Sequence, residues 1–119
     1  MAGPFNQSEC GMISKTVWML GLVLSFATAA SAGEAEDMAL GKKLFTSQAV
    51  PACAVCHTLA DAGSEGAIGP VLDELKPSED QVARALRDGL GQMPSYKNSL
   101  TAEQIKVLSK YVAKAAAGK

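Results

Sequence analysis

Histidine is almost missing from this chain of 119 residues; His57 is the only one. Cysteine is scarce as well, limited to Cys10, Cys53 and Cys56. A structural zinc centre wants four ligands, usually Cys or His, so this inventory argues against one. A second histidine can never join His57 on any metal. No excess of charge exists either: the formal net charge is -1, with acidic and basic residues interspersed. That excludes the basic footprint a nucleic-acid binder needs. Aromatic side chains make up only 5% of the chain. The sole tryptophan, Trp18, and Phe26 fall between Met12 and Ala32, so Gly33 onward keeps only Phe45, Tyr96 and Tyr111. Finally, the longest apolar stretch falls short of the roughly 20 residues that span a bilayer.

That stretch, Thr16 to Ala27, follows Lys15 and precedes the small residues Ala30-Ser31-Ala32 and the acidic Glu34, Glu36 and Asp37. A short basic region, a brief apolar run and an A-x-A site read as a secretory signal peptide. Residues 1–32 are therefore expected to be removed, leaving 33–119 as one domain without stable membrane insertion, in the periplasm. An uncleaved membrane anchor is the competing reading. Cys10 lies ahead of the apolar run, should leave with the signal, and receives no role.

A domain this small and aromatic-poor commonly leans on a disulfide, a metal or a cofactor for stability. Its visible pattern is helical, with three segments separated by Gly/Pro-containing loops. The first, about Glu36 to Gln48, places Met38, Gly41, Leu44, Phe45 and Gln48 at helical spacing and ends before Pro51. A second, Glu79 to Asp88, opens with the capping box Ser78/Gln81 and stops at Gly89. A third, Ala102 to Ala116, opens with Thr101/Gln104 and turns Ile105, Leu108, Tyr111 and Val112 inward. The glycines and prolines between Gly63 and Pro77 predict mostly loop, no β-alternation stands out, and Ala113 to Lys119 reads as a fraying helix end.

The chemistry sits in Cys53-Ala54-Val55-Cys56-His57, a C-x-x-C-H sequence. This spacing is the signature of covalent haem attachment. Two thiols one helical turn apart reach the two vinyl groups of a porphyrin, and the next residue is placed to ligate its iron. Three other readings compete: a thioredoxin-type dithiol, which needs a βαβ setting; a zinc site, short of ligands; and a structural disulfide, whose loop is too short to stabilise much. A porphyrin also supplies the apolar bulk that the composition lacks. With His57 used as one axial ligand, Met38 and Met93 are the remaining thioether donors. Met38 lies at core spacing and reads as a gap-filler. Met93, in the loop Gly89-Leu90-Gly91-Gln92-Met93-Pro94-Ser95-Tyr96, is placed to fold over a haem face. A His57/Met93 pair fills both axial positions, which suits electron carriage rather than oxygen or peroxide chemistry. The alternative is a five-coordinate haem in a sensor or enzyme subunit.

Gly41-x-x-x-Phe45, Cys53-x-x-Cys56-His57, Gly69-Pro70, Met93-Pro94 and a last helix bearing Tyr111 follow one another in a single order. In this the chain from Gly33 to Lys119 resembles the small monohaem class I cytochromes c. The resemblance implies an all-α fold, three main helices around one covalent haem c, and an electron carrier that is no enzyme. It also implies that Gly41 meets Tyr111 where the first and last helices cross. By the same resemblance, the carbonyl of Pro70 holds the second nitrogen of His57, fixing the ring. Several members place a tryptophan beside a haem propionate; this chain has none there, and Tyr96 or Lys97 are the stand-ins. The context Pro51 to Leu59, with Leu86-Arg87-Asp88-Gly89 leading to Met93-Pro94-Ser95-Tyr96, is further similar to periplasmic cytochromes that accept electrons from molybdenum sulfite dehydrogenases. The partners implied are a dehydrogenase as donor and a terminal oxidase or another cytochrome as acceptor, met by a monomer at the exposed haem edge. Lys42/Lys43 and Asp73/Glu74 are candidate steering charges, with ordinary solvated faces as the competing reading. A haem subunit tethered to a membrane complex is the remaining alternative.

Overall fold

The computed structural model describes residues 28–118. The apolar run of the expected signal and Cys10 lie outside them; the expected cut after Ala32 falls within the first turns of a helix. That helix, α1, runs Thr28–Lys43 and continues as a wider π-type turn, Leu44–Gln48. It thus begins earlier than the periodicity suggested but ends where expected. The widening coincides with two side chains that hydrogen-bond back to the preceding turn. Thr46 Oγ1 donates to the Lys42 carbonyl at 2.9 Å, and Ser47 Oγ to that of Lys43 at 3.2 Å.

From Glu34 onward the chain forms one compact unit. After α1 come α2 (Cys53–Cys56), the strand β1 (Thr58–Leu59), a 3-10 turn (Ala60–Ala62) and the strand β2 (Ser64–Glu65). Then follow α3 (Leu72–Leu75), α4 (Glu79–Asp88) and α5 (Ala102–Ala117). The antiparallel hairpin pairs Thr58 with Glu65 and Leu59 with Ser64. Two-residue strands are too short for any alternation to register, so a segment that reads as loop carries a hairpin and two helical turns.

Both capping boxes form. Ser78 and Gln81 exchange side-chain and backbone bonds at the start of α4, and Thr101 and Gln104 do so on α5. These satisfy backbone N–H groups that a helix start leaves unpartnered. The alanine-rich end of α5 does not fray: it stays helical to Ala117, because Ala116 is seated in the core at 2% exposure.

The core includes Leu44, Phe45, Leu59, Leu86, Tyr96, Ile105, Leu108, Tyr111 and Val112. Its centre is the crossing of α1 and α5. Gly41 meets Tyr111 there so closely that a Cβ on Gly41 would lie 2.3 Å from Tyr111 Cβ. Phe45 packs edge-on to the Tyr111 ring, centroids 6.1 Å apart. Polar bonds tie the crossing to the segment behind the cysteines. Tyr111 donates its hydroxyl to Asp61 Oδ2 at 2.8 Å, and Lys42 Nζ donates to the Asp61 carbonyl. Burial, and then the Asp61 carboxylate, push the Tyr111 hydroxyl well above the usual tyrosine range. Lys110 pairs with Asp37 at 3.0 Å and Lys114 with Glu34, lacing α5 to α1.

Candidate functional site

Cys53 and Cys56 occupy the first and last positions of the single turn α2, an i, i+3 spacing that puts both side chains on one face of the turn. His57 breaks the helix with extended dihedrals, φ -113° and ψ 139°, which swings its ring clear of the turn. Its Nδ1 lies 2.9 Å from the Pro70 carbonyl oxygen. A carbonyl only accepts, so Nδ1 carries a proton, and in the neutral ring Nε2 is the nitrogen whose lone pair serves a ligand. Gly69 donates its N–H to the Cys56 carbonyl at 2.7 Å, which brings Pro70 to that position.

Cys53 is buried and Cys56 half-buried, both as free thiols. Burial pushes the Cys53 thiol up to about 11, with the neighbouring Cys56 charge a lesser cause. Dithiol oxidoreductases depend on a lowered thiol pKa, and Cys53 is shifted the other way. The strands among the described residues form only the short antiparallel hairpin, with no βαβ unit. Nor does any group of three or more His, Cys, Asp or Glu among the described residues converge on a metal position. The zinc and dithiol readings therefore lose their geometric basis.

The loop that bears Met93 is also ordered by specific bonds. Leu90 and Met93 exchange backbone hydrogen bonds of 3.0 and 2.9 Å. Gly89, at φ +74°, lets the loop fold back: a Cβ there would lie 2.9 Å from the Met93 carbonyl. Met93 is half-buried against the core. Met38 also packs against the core and lines a cavity of about 390 Å³ with Asp61, Lys114 and the end of α5. None of the cysteine-motif residues lines that cavity.

Tyr96 is 4% exposed and donates its hydroxyl to the Pro51 carbonyl at 2.8 Å. Its one proton is thus committed to the backbone before the cysteines. Burial, with lesser contributions from the Cys53 and Cys56 charges, raises its pKa to about 12. The expected steering charges are also partly engaged. Lys42 reaches Asp61, and Asp73 Oδ2 accepts the Ala60 N–H at 2.9 Å.

A family model described as cytochrome C oxidase, cbb3-type, subunit III matches residues 36–112. The crystal structure of the c-type cytochrome SorU from Sinorhizobium meliloti aligns with a TM-score of 0.66 and 44% identity. That alignment covers 68% of this chain and 92% of SorU. The chain belongs to the class I monohaem cytochromes c. Among curated proteins none matches it. Membership makes this cytochrome an electron-transfer protein with covalently bound haem c. Its residues fit such a group: two thiols on one turn, an adjacent imidazole with Nε2 unprotonated, and little aromatic core of its own. Sequence reading missed the residues that surround His57 from behind, because Ser64, Gly66 and the short strands carry no recognisable motif.

Proposed function

We propose that this cytochrome is a periplasmic, monomeric electron shuttle whose haem is bound by Cys53 and Cys56 and ligated by His57 and Met93. Bound haem supplies a one-electron ferric/ferrous couple. Cys53 and Cys56 tether it by thioethers, and His57 offers Nε2 to the iron while Pro70 holds the opposite nitrogen. The observation that carries this reading is the Nδ1 to Pro70 bond of 2.9 Å, since it fixes both the tautomer and the plane of the imidazole. Met93 would complete the site from its Gly/Pro-bounded loop, a reading supported by the bonds that order that loop.

Electrons would arrive from a dehydrogenase, a sulfite dehydrogenase in the first instance, and leave to a terminal oxidase or another cytochrome. The likeness of the Pro51 to Leu59 and Met93 to Tyr96 contexts to such acceptors supports that choice. Exchange would take place beside the thioethers, where Val55 is 61% and Ile68 71% exposed, through a small, short-lived interface.

Optical spectroscopy tests the ligand assignment. The ferric protein should show the weak near-red band of sulfur-to-iron charge transfer, and Met93→Ala should remove it and open the iron to carbon monoxide. A wild type that lacks the band and binds carbon monoxide readily is instead a five-coordinate sensor or enzyme subunit. The name of the matching family model, a subunit of an oxidase, favours a second reading in which the chain is a tethered haem subunit. No helix among the described residues is long and apolar enough to cross a membrane. Intact mass of the haem-stained protein separates the two, since a soluble product beginning near Gly33 excludes a tether.

A further inference from the structure

We infer that the hairpin following the cysteine motif is a clamp on His57, in which Ser64, Gly66 and Gly69 act as positioning residues that tune the haem's reduction potential. The inference rests on His57 being an axial ligand. Three contacts converge on that residue from behind. Ser64 is 7% exposed, and its hydroxyl donates to the His57 carbonyl at 2.9 Å while accepting the Leu59 N–H at 3.0 Å. Thr58 Oγ1 donates to the Gly66 carbonyl at 3.1 Å, which draws the chain after β2 under the motif. There Gly66 lies against the peptide joining Cys56 to His57. A Cβ on Gly66 would stand 2.6 Å from the Cys56 carbonyl carbon and 2.7 Å from the His57 nitrogen. Gly69 lies against the ring itself: a Cβ there would stand 2.5 Å from Cε1, 2.8 Å from Nδ1 and 3.0 Å from Nε2.

Neither glycine has a positive φ, unlike Gly63, Gly89, Gly91 and Gly118. Their lack of a side chain is therefore a matter of space, not of backbone conformation. Contact this close leaves the imidazole one plane and one depth. Ser64 meanwhile fixes the backbone from which the ring hangs. Only in that plane does Nδ1 meet the Pro70 carbonyl, and that bond sets how strongly Nε2 donates to iron. Loosening the clamp should weaken donation, favour the ferrous state and move the potential upward.

The test uses the haem-loaded protein with Gly69→Ala, Gly66→Ala, Ser64→Ala, Ser64→Thr and, as a control on the same strand, Glu65→Ala. Covalent haem and the Met93-dependent near-red band should persist in all five. Gly69→Ala, Gly66→Ala and Ser64→Ala should shift the midpoint potential upward and displace the hyperfine-shifted proton resonances of the His57 ring. Ser64→Thr, which keeps the hydroxyl, should restore both, and Glu65→Ala should change neither. If Gly69→Ala yields no haem-loaded protein, Ser64→Ala decides by the same readouts. Variants that lose thermal stability while potential and ring resonances stay at wild-type values overturn the clamp and leave a merely structural hairpin. A wild type without His/Met spectral features overturns the ligand assignment itself, a different outcome, and the inference goes with it.

Discussion

Replacing Gly41 by alanine sets two energies of opposite sign against each other inside one helix. Alanine favours the helix by about 1 kcal/mol over glycine. The added methyl, however, would stand 2.3 Å from Tyr111 Cβ, 2.9 Å from its Cγ and 3.2 Å from the Val107 carbonyl oxygen. Carbon atoms pack at about 3.5–4.0 Å, so α1 and α5 would have to part by more than ~1 Å. Tyr111 has nowhere to go: it is 1% exposed, stacked edge-on with Phe45 and bonded to Asp61. Overpacking costs about 1–3 kcal/mol, and weakening a hydrogen bond to a charged group adds about 1.5 kcal/mol or more. The clash wins. Gly41→Ala should destabilise the haem-loaded protein by about 2–3 kcal/mol, lowering Tm by roughly 10–20 °C for a domain of this size. Thermal melts followed by circular dichroism measure it, with urea titration as a check. Ala39→Gly, on the exposed side of the same helix, reads the propensity alone and should cost only about 1 kcal/mol. A Gly41→Ala protein as stable as wild type, or more so, would show that the helices do not touch this closely.

Tyr96→Phe should cost about 1 kcal/mol at neutral pH by leaving the Pro51 carbonyl without its donor. Its effect on alkaline stability has a definite sign. With the folded hydroxyl raised to about 12 and the unfolded one near 10, the native state holds its proton longer. Wild type should therefore lose stability as pH rises from ~10 to ~12, by at most about 2–3 kcal/mol. The phenylalanine variant should show a shallower decline, and equal slopes in urea titrations would refute the burial of that hydroxyl. Thr101→Ala removes the acceptor for the Gln104 N–H, 3.1 Å away, and should cost about 1 kcal/mol in the same titration. Electron exchange with ferricyanide and with a cationic cobalt complex should depend weakly on salt between ~10 and ~200 mM, a range over which screening changes strongly. Steep slopes of opposite sign for the two reagents would reveal a charged exchange site instead.

How far the sequence reached depended on whether a feature had a local signature. Ser78/Gln81 and Thr101/Gln104 are read within four residues, and both capping boxes stand where that pattern placed them. The contact of Gly41 with Tyr111 was legible only through resemblance, since no local pattern joins residues seventy apart. The haem-binding sequence was plain because its chemistry requires fixed spacing. What surrounds it was not. Ser64 bonds to backbone atoms of His57 and Leu59, so nothing in its side-chain chemistry distinguishes it from any loop serine. The bond from the Tyr96 hydroxyl to the Pro51 carbonyl spans forty-five residues, so no local pattern announces it. Ala116 reads as a tail residue in an alanine-rich end, and only the packing of α5 shows it buried.

The charges are distributed in a way that bears on partner choice. Segments 44–60, 66–72 and 89–96 contain no Asp, Glu, Lys or Arg. Hydrogen bonds from Gly69 to Cys56 and from Tyr96 to Pro51 draw those three segments together around His57. Outside them, Asp37 is engaged by Lys110, Glu34 by Lys114, Lys42 by Asp61 and Asp73 by the Ala60 N–H. Exposed pairs of this kind contribute only about 0–1 kcal/mol each, yet they turn these side chains toward the protein's own elements. Steering a partner by long-range attraction needs charge of one sign near the exchange site. The proposed exchange site is bordered instead by Val55 and Ile68, both largely exposed. A strongly charged partner surface pressed against them would lose its hydration with no counter-charge to replace it. On the exchange site proposed above, the matching surface would be an uncharged one, held briefly by apolar contact and released as soon as the electron has moved.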